Sequence, residues 1–196
     1  MQNSGDRHSL KATVRANIRA ARAALTDAEV AERDMARTVR LLAACRKLQP
    51  AAVAAYASVG TEPGTWDLLA ELADWGVRLL LPRATARVGW AWWAGEPLVD
   101  SPLGIPQPAG PELGPETLGE VDLVILPGLA GSVTGVRLGR GGGWYDRCLA
   151  YARPDVPRWL LLNDIEVMNL VPDPWDQLVT DLVTERRWLR CTPERD

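Results

Sequence analysis

Short apolar runs, separated from one another by helical patterns, constrain this chain more than any other feature. Ala52 to Ser58 follows Pro50, Val77 to Leu81 is stopped by Pro82, Val121 to Leu126 ends at Pro127-Gly128, and Arg158 to Leu162 repeats the pattern. Each run is short enough for a strand and too uniformly apolar for a strand with one wet face. Strands of that kind, alternating with helices, predict an α/β fold: a mainly parallel sheet covered on both faces. Val88 to Trp93 alternates in part and reads as an exposed or edge strand, and Val179 to Thr184 and Trp188 to Arg190 read as late strands.

The helical patterns are as clear. Val14, Ile18, Ala21 and Leu25 make one apolar stripe over residues 10–25, and Lys11, Arg15, Arg19 and Arg22 make a cationic one. Thr26-Asp-Ala-Glu29 is a capping box that predicts a second helix running to about Lys47. Its charges (Glu29, Glu32, Arg33, Asp34, Arg37 and Arg40) read as a solvated face. Thr65 is placed to cap a third helix, with Leu68, Leu69, Leu72 and Trp75 inward and Gly76 ending it. A fourth is predicted from Tyr145 to Tyr151. Pro97 to Pro115 carries six prolines and reads as a long irregular connection. Residues 1–9 are expected to be a disordered tail, with 10–196 forming a single domain.

Composition narrows the function. A chain of 196 residues buries a sizeable core without disulfides or metal. The net charge of -3 gives no broad nucleic-acid surface. Three cysteines, Cys45, Cys148 and Cys191, have no zinc-knuckle or disulfide spacing. The one histidine, His8, leaves a Ser-His-Asp triad, a Cys-His pair and a His-rich metal site without support. The apolar runs are too short to cross a membrane and none near Met1 resembles a secretion signal, so the expected location is cytoplasmic. Only two of the 22 basic residues are lysines, and there are nine tryptophans and no phenylalanine, which reads mainly as coding bias.

The segment Arg137-Leu-Gly-Arg-Gly-Gly-Gly-Trp-Tyr-Asp-Arg147 is the richest in chemistry. Four glycines in five positions leave backbone N–H groups free to approach an anion closely. Arg137 and Arg140 add charge with bidentate reach to phosphate, and a following helix adds its dipole. Asp146 puts a carboxylate beside that phosphate, where magnesium is held. The spacing matches neither a Walker loop nor the dinucleotide fingerprint, so a phosphate site and a flexible turn both stand as readings.

Other candidates have bland alternatives. Lys11 and Arg15, one helical turn apart, have the charge to neutralise a triphosphate, but a solvated basic face is the plainer account. Glu62 follows a strand end, where sites in open α/β sheets form, yet loop glutamates are usually solvated. Asp176 and Asp181 are alternative metal carboxylates or turn residues. Trp90, Trp92 and Trp93 suit either a flat heterocycle or edge-strand packing. Cys148 reads as a small packing residue.

In their order along the chain these segments resemble the 5-formyltetrahydrofolate cyclo-ligase family. The resemblance runs through Lys11-Ala-Thr-Val-Arg15, Glu62-Pro-Gly-Thr65, Pro82-Arg83, Gly104 to Pro108, and the specific stretch from Pro127 to Asp146. It implies a three-layer Rossmann-like α/β sandwich. It also implies an ATP- and magnesium-dependent reaction in which the formyl oxygen of 5-formyltetrahydrofolate is phosphorylated and the ring closes to 5,10-methenyltetrahydrofolate, with ADP and phosphate released. By resemblance Lys11, Arg15 and the stretch Arg137, Leu138, Gly139, Arg140, Gly141, Gly142, Gly143, Trp144 and Tyr145 hold ATP. Arg140 and Tyr145 act on the reacting groups; Glu62, Gly141, Gly143 and Trp144 meet the folate; Asp146 and Asp176 bind Mg2+. The partner is then a small folate, with neither nucleic acid nor membrane, and the enzyme is expected to be a monomer.

The sequence departs from the family at Gly131 and Ser132, where an apolar wall and a carboxylate are usual. It departs again at Trp144, Trp175 and Thr180. These changes predict an altered folate half beside an intact nucleotide half. They keep open a non-catalytic or retuned paralogue, and a sugar-phosphate or acyl-transfer enzyme on the same architecture.

Overall fold

The computed structural model describes residues 4–84, 88–101 and 105–192. Seven strands form one sheet: β1 (Ala52–Ala54), β2 (Arg78–Ala84), β3 (Val88–Trp93), β4 (Leu123–Pro127), β5 (Arg158–Leu161), β6 (Asp181–Val183) and β7 (Trp188–Arg190), in the order β7-β6-β5-β4-β1-β2-β3. The five inner strands are parallel. The two edges, β3 against β2 and β7 against β6, are antiparallel. The partial alternation of Val88 to Trp93 therefore belongs to an edge strand, as its pattern predicts.

Successive strand residues point to opposite faces, and that divides the core in two. Leu79, Leu81, Leu123 and Ile125 face α2 (Asp27–Leu48) and α3 (Trp66–Asp74), meeting Leu41, Cys45, Leu68, Leu69 and Leu72. Leu80, Val124, Leu126 and Leu160 face the other way, toward Cys148 and Leu149 of α4 (Trp144–Leu149) and Leu118 of a 3-10 turn over Pro115–Glu120. The continuous apolar runs are thus buried on both faces of a three-layer α/β sandwich.

α1 (Ser4–Ala23) belongs to neither layer and crosses the carboxyl ends of the strands. Its Arg22 reaches the Gly128 carbonyl just past β4, Arg15 the Gly139 carbonyl, and Lys11 the Asp173 carboxylate. The helix begins at Ser4, so the expected tail is helical over most of its length. Residues 1–3 and Gly104 lie outside the described residues.

Two expectations are corrected by tertiary contacts. The charged face of α2 is only partly solvated. Arg37 is buried, donating to the Leu162 carbonyl, Asn163 Oδ1 and Asp34 Oδ1, and Arg40 donates to the carbonyls of Thr184, Glu185 and Arg186. Trp75 does not turn inward; it is the α3 C-cap and lies exposed, 5.1 Å from the Arg46 guanidinium.

Thr65 precedes α3 but ties the helix to β1 rather than capping it. Its hydroxyl donates to the Tyr56 carbonyl at 2.6 Å and accepts from the Ser58 N–H at 3.1 Å, closing the loop that carries Glu62. Thr65 is fully buried, so Thr65→Val orphans both groups. The substitution is expected to cost about 2 kcal/mol in urea unfolding, and an unchanged midpoint would remove Thr65 from the loop's support.

Candidate functional site

β1 connects outward to β2 on one side and β4 lies on the other, so chain connections leave the β1–β4 seam in opposite directions. A crevice at the strand carboxyl ends results, the usual ligand position in an open α/β sheet. Here it is a cleft of about 500 Å³. Its floor is Tyr56, Ala57 and Pro127 to Leu129; its walls are α1, the loop of Glu62, Pro82 and Arg83, the glycine-rich loop with the start of α4, and the segment from Asp173 to Asp176.

Every residue expected to hold ATP, folate or magnesium lines this one cleft: Lys11, Arg15, Glu62, Arg137 to Asp146, and Asp176. Gly141 (φ +108°) and Gly143 (φ +61°) occupy backbone conformations that favour glycine. A side chain on Gly139 would begin 2.7 Å from Arg137 Nη1. Arg137 is buried, paired with Asp146 at 3.0 Å and lying 5.4 Å from the Tyr145 ring centroid. Across the cleft Arg140 Nη2 meets Glu62 Oε1 at 2.8 Å, while the second Glu62 oxygen accepts from the Val59 N–H. α4 stops at Leu149 rather than Tyr151 and has six residues. A helix this short adds little dipole, so what the loop presents to the cleft is chiefly bare backbone and arginines.

The cationic stripe of α1 is not a solvated face. Lys11 pairs with Asp173 at 2.7 Å, and Arg15 Nε donates to the Gly139 carbonyl at 2.9 Å, the glycine-rich loop itself. Arg19 alone of the four points outward. Arg22 is buried against Glu166. Sequence reasoning missed Asp173 and Glu166. The Pro-Asp-Pro-Trp-Asp run marks Asp173 as well as Asp176, and an arginine continuing a stripe that meets the strand ends needs a buried acid.

Asp146, Asp173 and Asp176 bring three carboxylates to the cleft mouth. Burial, assisted by the neighbouring Asp146 and Asp173 charges, holds Asp176 above the usual carboxylate range, against a backbone hydrogen bond from Asp173 and the charge of Lys11. Among the described residues no three acidic, histidine or cysteine groups form a ready-made metal cage. Magnesium, which keeps several waters and takes one or two carboxylates plus phosphates, fits this donor set better than an all-protein site would. Asp181 is no candidate: it is buried in β6, accepting from Trp188 Nε1 and Thr180. Burial also pushes the Tyr145 phenol well above its ordinary range and raises the Cys148 thiol, which suits Cys148 as a packing residue.

The departures at positions 131, 132 and 180 lie away from the cleft. A Cβ on Gly131 would begin 2.7 Å from Leu160 Cδ2 and 3.0 Å from Leu162 and Leu182 methyls, so core leucines fill the volume a larger residue would take. Ser132 accepts from the Val136 N–H and bonds the Thr134 hydroxyl, holding a turn. Thr180 bonds the Arg158 backbone. The expected loss of a folate wall at Gly131 and Ser132 is thereby corrected. Trp144 and Trp175 do line the cleft. Trp90, Trp92 and Trp93 do not: Trp90 is buried against Trp144, Trp92 lies under Arg78, and Trp93 donates to the Glu96 carbonyl.

A three-layer α/β protein with a cationic, glycine-rich loop facing a carboxylate across its switch-point cleft is the class this geometry defines. The sequence model of the 5-formyltetrahydrofolate cyclo-ligase family matches residues 7–185. A 5-formyltetrahydrofolate cyclo-ligase from Mycolicibacterium smegmatis is 36% identical over 149 residues, 72% of this chain and 77% of the relative. The solved 5,10-methenyltetrahydrofolate synthetase of Aquifex aeolicus superposes with a TM-score of 0.80 at 26% identity, over 95% of each chain. That of Mycoplasma pneumoniae shares the fold at a TM-score of 0.73 and 20% identity, over 89% of this chain and 98% of that one. The chain belongs to the 5-formyltetrahydrofolate cyclo-ligase family.

The Asp176 environment has a measurable consequence. A carboxyl whose folded pKa is raised favours the fold only below its unfolded pKa and loses that contribution as pH rises through the folded value. Asp176→Asn, which keeps an acceptor for the Asp173 N–H, is therefore expected to raise the thermal midpoint at neutral pH by a few degrees. The gain should shrink below the carboxylate range. Equal midpoints across pH would show that Asp176 is well solvated.

Proposed function

We propose that the protein converts 5-formyltetrahydrofolate to 5,10-methenyltetrahydrofolate with consumption of ATP in the presence of magnesium. The observation that carries this reading is the convergence of Lys11, Arg15, Arg140 and Glu62 on one cleft with the glycine-rich loop. The family and the name of the Mycolicibacterium relative point to the same substrate.

Bound ATP with magnesium supplies a phosphoryl group that turns the formyl oxygen into a leaving group, and Asp146 and Asp176 are the oxygens on this chain to hold the metal. The protein's own task is positioning and charge. Lys11 and Arg15 neutralise the polyphosphate from α1. Arg140 and the backbone of Gly139 to Gly143 follow the charge that develops at the transferred group, where fixed donors are worth most. Arg137, held by Asp146, keeps Tyr145 in place. The Tyr145 phenol stays protonated at working pH, so it serves as a hydrogen-bond donor and not as a base. Glu62, preset by the Val59 N–H, accepts from pterin N–H groups, and Trp144 gives that half an apolar face. No step calls for a histidine base or a covalent protein intermediate.

Mixing the protein with 5-formyltetrahydrofolate, ATP and magnesium is expected to give an ATP-dependent rise in methenyl-folate absorbance. A flat trace with ATP still bound would transfer the reading to a paralogue with another second ligand. Arg140→Ala should weaken ATP by roughly 2 kcal/mol, about 30-fold. Wild-type affinity in that variant would take Arg140 out of the nucleotide site.

A further inference from the structure

A buried charged network, which reaches the cleft wall at Arg22, is not used directly by the proposed reaction. Arg22 is 3% exposed and Glu166 1%. Arg22 Nε donates to Glu166 Oε1 at 2.7 Å, and its Nη2 donates to Glu166 Oε2 at 2.6 Å and to the Gly128 carbonyl at 2.7 Å. Glu166 is held from the far side by Asn163, whose backbone N–H and side-chain Nδ2 each donate at 2.8 Å. Asn163 in turn accepts from buried Arg37 of α2 at 3.0 Å. Arg37 binds Asp34, which accepts from the Gly64 N–H at 2.9 Å beside the Glu62 loop.

Stability alone is a poor reason for this arrangement. Burying two charges costs about as much as their attraction returns, and apolar residues of equal volume commonly do as well. What an apolar pair lacks is direction. The Arg22 fork fixes both the height and the rotation of α1 against Gly128 and Glu166. Lys11 and Arg15 sit upstream on that same helix, so their distance from the glycine-rich loop depends on this anchor. Apolar packing holds α1 only lightly, with Ile18 its one buried apolar side chain among the described residues.

We infer that Arg22 and Glu166 are a positioning pair that sets α1, and with it Lys11 and Arg15, over the nucleotide end of the cleft. The inference rests on the reading of that end as the ATP site. Neither residue has to touch ligand to act in this way.

The test compares wild type with Arg22→Lys, which keeps the charge and loses the fork, and with Arg22→Gln/Glu166→Gln, which removes both charges together. Amide hydrogen exchange is expected to quicken roughly tenfold or more across α1 while β4 and β5 keep their protection. Calorimetric affinity for a non-hydrolysable ATP analogue with magnesium should fall roughly tenfold, with 5-formyltetrahydrofolate affinity within about twofold of wild type. Unchanged exchange in α1, an increase shared equally by the sheet, or equal weakening of both ligands overturns the inference. So does failure of both variants to fold, since positioning is separable from folding. A wild type that binds no nucleotide would instead overturn the ATP reading, while the exchange comparison still decides what Arg22 and Glu166 do.

Discussion

The divergence of chain connections at the β1–β4 seam is the constraint on which the rest of this structure depends. Crossovers carry the chain from β1 toward β2 on one side and from β4 toward β5 on the other. No crossover covers the carboxyl end of the seam itself. The open strand ends there are left to Tyr56, Pro127 and the turns beyond them, and every candidate ligand group gathers around that gap. α1 crosses it from the N-terminal side of the sequence, and the segment from Asp173 to Asp176 closes it from the C-terminal side.

A cleft that collects Lys11, Arg15, Arg22, Arg137 and Arg140 has an electrostatic problem when it holds no anion. The protein answers with a partner for each: Asp173 for Lys11, the Gly139 carbonyl for Arg15, Glu166 for Arg22, Asp146 for Arg137 and Glu62 for Arg140. These partners differ in burial, and so in permanence. Arg22–Glu166 is nearly dry, whereas Arg140 is 57% exposed and its ion pair is weak by the usual measure of such contacts. Arg140 can leave Glu62 at small cost, whereas Arg22 cannot leave Glu166. The site divides into fixed supports and exchangeable contacts by solvent exposure alone.

Much of this was legible in the sequence. The four apolar runs named there became β1, β2, β4 and β5, four of the five inner strands, because a strand buried on both faces needs nearly every residue apolar. Val88 to Trp93 kept its edge character, and the capping box at Thr26 starts α2 where it should. The glycine-rich loop, Glu62, Lys11 and Asp176 meet in one cleft, since strand-end loops of a parallel sheet share one side. Long-range contacts were not legible. Arg37, Arg40 and Arg22 look like surface charges, and only the folded chain supplies the carbonyls and the Glu166 carboxylate that draw them in. Gly131 and Ser132 look like losses from a ligand wall, but Leu160, Leu162 and Leu182 fill the space at Gly131, and Ser132 holds a turn.

The sequence has a single histidine, and no cysteine lines the cleft among the described residues. In a site that works by proton relay or by a covalent intermediate those would be deficits. In one that works by holding two reactants in line they are not, because the requirement then falls on rigidity and fixed charge. Rigidity is hard to supply at a crevice, where packing density is lowest and loops predominate. This fold meets it with directional contacts in place of packing: a hydroxyl at Thr65 clamping the Glu62 loop to β1, a guanidinium at Arg137 clamping the glycine-rich loop to α4, and one at Arg22 clamping α1 to β4. Each is buried, each spans segments distant in sequence or leading into different elements, and each supports a group proposed to meet ligand. Arginine and threonine suit that work because their donors are fixed in direction by the side chain or its branched carbon. The scarcity of lysine and abundance of arginine, plain as coding bias in the composition, thus also furnishes the cleft with the more directional of the two cations.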